Sequence, residues 1–458
     1  MNKFFFAGML LAMTATALTS CENDNINPED YNGKSSNSAT AAITTALAAY
    51  PENSIVWTKD TTLTESFKVP EGHSLYIEPG VHVTCSSKPT EDHPIEIVVL
   101  GNLYSLGTAA KPVVIDSETG KANSWGGIIC GYNAEEVVLR HTELADGGAT
   151  PTESSISFQN KLFKTTIDGG VPVFHFCNTD GKFVMDSCYV HDNYNDQTYF
   201  TGGSGIITGC VFADSGNQED GGEAINVKSG CNLDISDNLI YNACTNGFKL
   251  SNAGIESGIA SSNLRIYNNT VVDCGWRRTK NKKGGSVWLE KGIHPVMKNN
   301  LIADCRYGIK QPSKDGADLA ESVLTPNYLF ASTATGVKQM AKGYSGVIYE
   351  DANPTSQSAG DLNPLFLSFK QSDKMNVNCE SDDVANGAPL PYDNSWDFHL
   401  QIGSPALTGA ATSIERLFPT GLMFSGLKNI SWNDAANKQS YYVYSPAIQP
   451  YFGAFGTK

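Results

Sequence analysis

Two eight-residue stretches constrain this chain more than any other feature. Tyr267 to Cys274 reads YNNTVVDC and Lys298 to Cys305 reads KNNLIADC, with Asn269 and Asn300 31 residues apart. Near-copies at a spacing of about 20 to 50 residues mark architectures in which each unit buries its apolar face against the next. Read backwards, the pattern continues through Asn238-Leu-Ile-Tyr-Asn242, Cys210-Val-Phe-Ala-Asp214 and Cys188-Tyr-Val-His-Asp192, in steps of 22, 28, 31 and 31 residues. Each rung is Asn or Cys, two β-formers, a variable residue, then Asp or Asn. A basic coil of about 22 residues with loops of unequal length accounts for the uneven steps. Helical repeats would keep a tighter period and show 3.6-residue patterning, which is absent. A second register, Ala224-Ile-Asn226-Val, Gly247-Phe-Lys249-Leu and Gly308-Ile-Lys310-Gln, recurs at comparable points of the coils. Short β-rich runs broken by Gly, Asn and Asp, with 43 glycines in all, predict strands joined by sharp turns. The expected fold is all-β, a right-handed single-stranded parallel β-helix solenoid. Ile, Val, Leu, Phe and Cys would stack inside it, and Asn and Asp would align at the turns and exchange side-chain hydrogen bonds.

The N-terminus carries an address. A basic residue at Lys3, an apolar run from Phe4 to about Met13 and small residues leading to Leu18-Thr-Ser-Cys21 read as a removable export signal, too short to span a bilayer. Leu-Thr-Ser-Cys resembles the bacterial lipobox, which implies that residues 1–20 are a signal peptide and that Cys21 carries lipid. No later apolar run reaches 18 residues, so the expectation is a chain anchored to the outer membrane, not one that spans it. The acidic and polar stretch after Cys21 suits a tether over residues 21–50, and it resembles the export tags of cell-surface lipoproteins in gut Bacteroidetes. Ten cysteines remain after Cys21; none forms a CxxC pair and most sit in apolar runs, so they read mostly as buried free thiols.

Further stretches carry a resemblance to a known group. VPEGHSLYIEPGVHVTC, IEIVVLGNLYSLGTAAKPVVIDS and SWGGIICGYNAEEVVLRHTELADGG are similar to the opening coils of exported bacterial β-helix proteins of the pectate-lyase-like superfamily. Asn363-Pro-Leu-Phe366, Asp397-Phe-His-Leu400, Gly403-Ser-Pro-Ala-Leu407 and Gly453-Ala-Phe455 resemble the C-terminal end of the same group. The resemblance covers roughly residues 55 to 455 and implies polysaccharide as the usual ligand, while leaving activity open among lyases, hydrolases, esterases and non-catalytic coats. The expected division is a β-helix over 51–410, with a long excursion from about Lys310 to Asn363, and a segment 411–458 capping the open end of the coil.

Three residue sets carry candidate chemistry. With a net charge of −16 the chain is no generic nucleic-acid binder. Against that background the basic run from Trp276 to Lys314 stands out as a patch for an anionic glycan, with Trp276, Arg277 and Arg278, together with His191, as candidate substrate contacts. Lys228 and Lys249 lie 21 residues apart, close to one coil. Uronate lyases need a base to take the proton α to a carboxylate and a cation for the charge that develops. Lys249 is the expected base, Lys228 its neighbour, and Arg306 or Lys310 the carboxylate holder. Among Asp192, Asp196, Asp214, Asp220 and Glu223, the first and third fall on the turn ladder; Asp220 and Glu223 are the candidates for a catalytic or calcium-binding role. Zinc-protease, serine-hydrolase, P-loop and dinucleotide motifs are absent from the sequence. Two readings stand: a surface lipoprotein acting on polysaccharide, as a uronic-acid lyase ahead of a glycoside hydrolase, or a non-catalytic glycan-binding or adhesion β-helix.

Overall fold

The computed structural model describes residues 50–162, 170–217, 221–278, 284–372, 389–428, 430 and 441–458. The leader, Cys21 and the tether therefore lie outside the described residues, as do Asp220, Lys280, Lys282, Lys283 and Cys379. Strands recur in threes. Ser54–Trp57, Thr61–Leu63 and Phe67–Val69 form the first turn of the coil, and Ser74–Ile77 then pairs in parallel with the first of them, Ser54 opposite Ser74. Repetition builds three parallel sheets. The first has nine strands, Ser54–Trp57 to Val296–Lys298; the second has ten, Thr61–Leu63 to Tyr328–Phe330; the third has nine, Phe67–Val69 to Ile309–Lys310. Alternate side chains point inward and make one continuous apolar core from Trp57 to Ile348.

The repeated octets are rungs of the second sheet. Tyr189, Val211, Leu239, Thr270 and Leu301 occupy one register on successive coils. The asparagine that opens each later rung is fully buried at the turn and bonds its counterpart one coil on. Asn238 Nδ2 donates to Asn269 Oδ1 at 2.9 Å, Asn269 Nδ2 to Asn300 Oδ1 at 2.9 Å, and Asn300 Nδ2 to Asn327 Oδ1 at 2.8 Å. The residue that closes each rung turns the chain through the left-handed region: φ is 51° at Asp192, 55° at Asp214, 52° at Asn242, 56° at Asp273 and 49° at Asp304. Asp and Asn tolerate that conformation better than other side chains. The nine described cysteines are all free and buried, as fillers of the coil.

One boundary differs from the sequence expectation. Asn327 and the strand Tyr328–Phe330 continue the second sheet for a sixth aligned rung, inside what read as an excursion. The ladder runs one step further, with Asn353 Oδ1 accepting from the Asn327 amide at 2.7 Å and Leu329 bridged in parallel to Thr355, and the later described chain flanks the coil. Phe366, Phe369, Trp396, Phe398, Leu400 and Phe452 pack on the outer face of the second sheet, against Tyr241, Val272, Leu301 and Tyr328. Phe424, Leu427 and Ile430 cover the outer face of the first sheet, against Val56, Tyr76, Tyr104, Val138 and Ile206. The physical reason is the outward-facing apolar residues of these two sheets, which offer about 1.5–3 kcal/mol for each large side chain buried on them. Buried carboxylates fix the docking: Asp234 accepts from the Leu417 and Phe418 amides at 2.8 and 3.0 Å, and Glu136 from the Ser425 and Gly426 amides at 2.9 and 3.1 Å. Among the described residues, the C-terminal segment places no such cladding on the later coils of the third sheet.

Candidate functional site

In the third sheet each strand points its flanking residues into the core and its central one outward. Ile225 and Val227 flank Asn226, Phe248 and Leu250 flank Lys249, and Val287 and Leu289 flank Trp288. Parallel register stacks the central residues into one column: His175, Tyr199, Asn226, Lys249, Trp288 and Lys310. Neighbours in such a column are about 4.8 Å apart. Three residues before Tyr199, Asn226 and Lys249 stand Asp196, Glu223 and Asn246, so a polar column runs beside the first.

Four ionisable groups meet where the columns touch. Asp196 is 6% exposed; its Oδ1 accepts from the Gly222 and Glu223 amides at 2.8 and 3.0 Å, and its Oδ2 from Asn226 Nδ2 at 2.8 Å. Glu223 Oε1 lies 3.8 Å from Lys249 Nζ and 3.4 Å from Asn246 Nδ2. Burial, then the charge of Glu223, pushes the Asp196 carboxyl up, so it keeps its proton and donates it to Glu223. Burial alone would raise Glu223 too, but Lys249, the Asp196 hydroxyl and Lys228 outweigh it and hold Glu223 ionised. Lys228 is 6% exposed with Nζ 5.3 Å over the Tyr199 ring. Burial, then the like charge of Lys249, lowers its pKa to about 7. Burial also acts to lower Lys249, yet Glu223, Glu290 and Asp196 together raise it above the ordinary lysine value. Two lysines one coil apart thus differ in charge: near neutrality one is poised to lose its proton and the other stays an ammonium. At the rim, Trp288 Nε1 donates to Glu290 Oε2 at 2.8 Å, and buried Asn226 Oδ1 has no hydrogen-bond partner among the described residues.

Two family models match the chain. One, described as a right handed beta helix region, covers residues 152–324; the other, described as a pectate-lyase like beta helix domain, covers 49–156. The fold is a right-handed parallel β-helix. No curated protein and no solved structure matches the chain significantly. Within the β-helix the two matches meet end to end and span all three sheets up to the last coils.

The β-helix brings some of the expected site residues together and disperses others. Lys228, Lys249 and Glu223 converge, joined by Asp196. Lys249, the expected base, is the lysine paired with Glu223, whereas burial and then the charge of Lys249 lower Lys228. Of the anticipated basic patch, Lys280, Lys282 and Lys283 lie outside the described residues, and several of the described members are engaged within the coil. Arg277 donates to Asn242 Oδ1 at 2.9 Å and to the Gly216, Ser215 and Asn242 carbonyls at 2.8, 2.6 and 2.7 Å, which ties neighbouring turns together. Trp276 is 2% exposed and its Nε1 donates to the Asp304 carbonyl at 2.6 Å, so it packs inside. Arg306 is fully buried and donates to the Arg278 carbonyl at 2.8 Å, which keeps it from holding a substrate carboxylate. Arg278 is itself buried, and Lys310 Nζ sits 3.7 Å over the Tyr307 ring, at the far end of the column. His191 lies on the second sheet, between Glu143 Oε1 at 3.1 Å and Asp192 Oδ2 at 2.8 Å, away from the third-sheet column.

Of the two candidate metal ligands, Asp220 lies outside the described residues and Glu223 has Lys249 Nζ 3.8 Å away, a cation that competes with any metal for its carboxylate. Among the described residues no group of three or more His, Cys, Asp and Glu is placed to hold a metal. Tyr199 and Trp288 belong to the site through their place in the column. For Trp288 the signal was the triplet Val-Trp-Leu, which repeats the inward-outward-inward pattern of Phe-Lys-Leu one coil earlier.

Proposed function

We propose that the protein binds an acidic polysaccharide along the outer face of the third sheet and cleaves it by β-elimination. The observation that carries this reading is the pair of lysines on adjacent coils, Lys249 held as an ammonium beside Glu223 and Lys228 pushed toward neutrality by burial and by Lys249. Neutral Lys228 takes the proton α to a uronate carboxylate. Lys249 stabilises the enolate-like charge that develops, which a fixed ammonium in a largely buried site does well. The electron pair of the broken C–H bond forms a carbon–carbon double bond as the adjacent glycosidic C–O bond breaks; the leaving oxygen takes a proton from water, and Lys228 returns the proton it took to the resulting hydroxide. Tyr199 and Trp288 offer ring faces to the sugars on either side, three coils apart. Beta-helix domains of the pectate-lyase-like kind are polysaccharide-associated, which supports the substrate class. The lipobox-like Leu18-Thr-Ser-Cys21 supports an exported lipoprotein, anchored in the outer membrane and facing the cell surface.

The test is incubation of the purified protein with polygalacturonate, alginate and acidic glycosaminoglycans, following absorbance of the unsaturated product. At least one substrate gives product, and Lys228→Ala abolishes it. Binding of a uronate polymer without product from any substrate establishes the non-catalytic reading instead, and absence of both binding and product overturns the assignment of this face.

A further inference from the structure

A second feature lies on a different face. Between the outer surface of the late second-sheet coils and the segment 363–371 is a cavity of about 350 Å³. That falls in the range of small-ligand sites, about 300–1,000 Å³. Val272, Phe366 and Phe369 make its apolar wall, and Asp304, Asn363 and Gln401 bring polar groups to it. Asp304, Asn363 and Gln401 each keep capacity beyond their structural bonds. Asn363 uses Oδ1 to accept from the Leu365 amide at 2.9 Å, leaving the Nδ2 donors. Gln401 uses Nε2 to donate to the Phe366 carbonyl at 2.9 Å, leaving Oε1 to accept. Asp304 accepts from the Ser332 amide at 2.6 Å, and a carboxylate has about four acceptor positions.

We propose that this cavity binds one neutral sugar residue of a glycan. Hydroxyl groups both donate and accept, so they match an array of acceptors with one amide donor, while the C–H face of a pyranose suits phenyl and aliphatic walls. Among the described residues the lining contains no Lys or Arg, and behind Asp304 stands the buried Asp273, whose carboxyl is pushed up by burial and then by the charge of Asp304. A uronate is therefore disfavoured here, whereas the third-sheet lysines favour one. The two faces would hold different sugars of a branched or mixed polymer.

The test is isothermal titration calorimetry of the whole protein with neutral tetrasaccharides of glucose, xylose, mannose and galactose, and with a galacturonate tetramer. At least one neutral tetrasaccharide binds, and Asn363→Ala and Gln401→Ala each weaken it at least about tenfold. Both residues are exposed, so the variants fold. Lys249→Ala leaves the neutral-sugar affinity unchanged, which separates this site from the third-sheet one. The proposal is overturned if no neutral tetrasaccharide binds, if neither substitution weakens the binding, or if these substitutions weaken the galacturonate tetramer instead.

Discussion

Asn269→Ala tests whether the turn ladder holds the coils in register. The Asn269 side chain is fully buried and makes five hydrogen bonds. Its Oδ1 accepts from the amide and the Nδ2 of Asn238 at 3.1 and 2.9 Å; its Nδ2 donates to Ile235 O, Tyr267 O and Asn300 Oδ1 at 3.0, 3.2 and 2.9 Å. Truncation does not orphan all of these partners. Asn238 Nδ2 keeps the Ile207 carbonyl and Asn300 Oδ1 keeps the Asn269 amide. The Asn238 amide loses its one described acceptor, at a cost of about 1–3 kcal/mol. The small cavity and the weakened shared bonds bring the total to about 3–5 kcal/mol. The assay is the denaturant midpoint together with hydrogen exchange of the flanking coils, because in a solenoid the damage stays near the broken contact. Exchange should accelerate first at the strands Leu239–Tyr241 and Thr270–Val272. The control is Asn232→Ala, an exposed asparagine on the same coils, which should stay within about 0.5 kcal/mol. Equal midpoints for the two variants would refute the argument.

Three further outcomes follow from other contacts. Product formation by the wild-type protein should rise with pH through about 7, because Lys228 acts only after losing its proton, and Glu223→Gln should change that profile by removing the counter-charge of Lys249; a flat profile from pH 5 to 9 excludes Lys228 as the base. Asp237, whose carboxyl burial raises to about 7, keeps its proton in the folded chain where the unfolded chain has lost it near pH 4. Its contribution to stability is complete below that lower value and is lost as pH rises through about 7, so Asp237→Asn should stabilise by roughly 1–3 kcal/mol at pH 8 and change nothing at pH 3; an equal gain at both pH values contradicts this. Asp234→Ala leaves the Leu417 and Phe418 amides without their carboxylate and should expose the C-terminal segment to limited proteolysis, at a cost of about 2–4 kcal/mol, while the coil resists; cleavage at the wild-type rate would show that the apolar contacts alone hold it.

The coil was legible because stacking imposes the same demand on every rung. A polar turn residue, two β-formers and an Asp or Asn in left-handed conformation leave a visible trace in Cys210-Val-Phe-Ala-Asp214 and its successors. Nearness of Lys228 and Lys249 was legible too, from a spacing close to one coil. Their roles were not, because these depend on Glu223 reaching Lys249 from a position three residues before Asn226, at a bend that no periodicity reports. The setting of Arg277 was hidden for a related reason. A sequence shows that Arg277 is cationic but not that its guanidinium is consumed by carbonyls of Ser215, Gly216 and Asn242, from coils 35 to 62 residues away.

The location of the site follows from what each sheet shows to the outside. On the first and second sheets the outward positions are residues such as Tyr76, Val138, Tyr241 and Leu301, and the returning chain buries them. A chain selected for stability alone would place similar residues on the late third sheet. It has instead Asn226, Lys228 and Lys249 beside Asp196 and Glu223, largely withdrawn from water. Burying such groups costs several kcal/mol each before pairing repays part of it, and replacing them with apolar residues of similar volume is often neutral or stabilising. Pairing explains Glu223 with Lys249 and the proton on Asp196. It does not explain Lys228, which is pushed toward neutrality by burial and by Lys249 while its Nζ is held over Tyr199. A lysine kept near its point of deprotonation serves proton transfer better than it serves stability. Lys228→Met should therefore leave the protein at least as stable as the wild type while removing product formation. Loss of stability with retained turnover would reverse both halves of the argument.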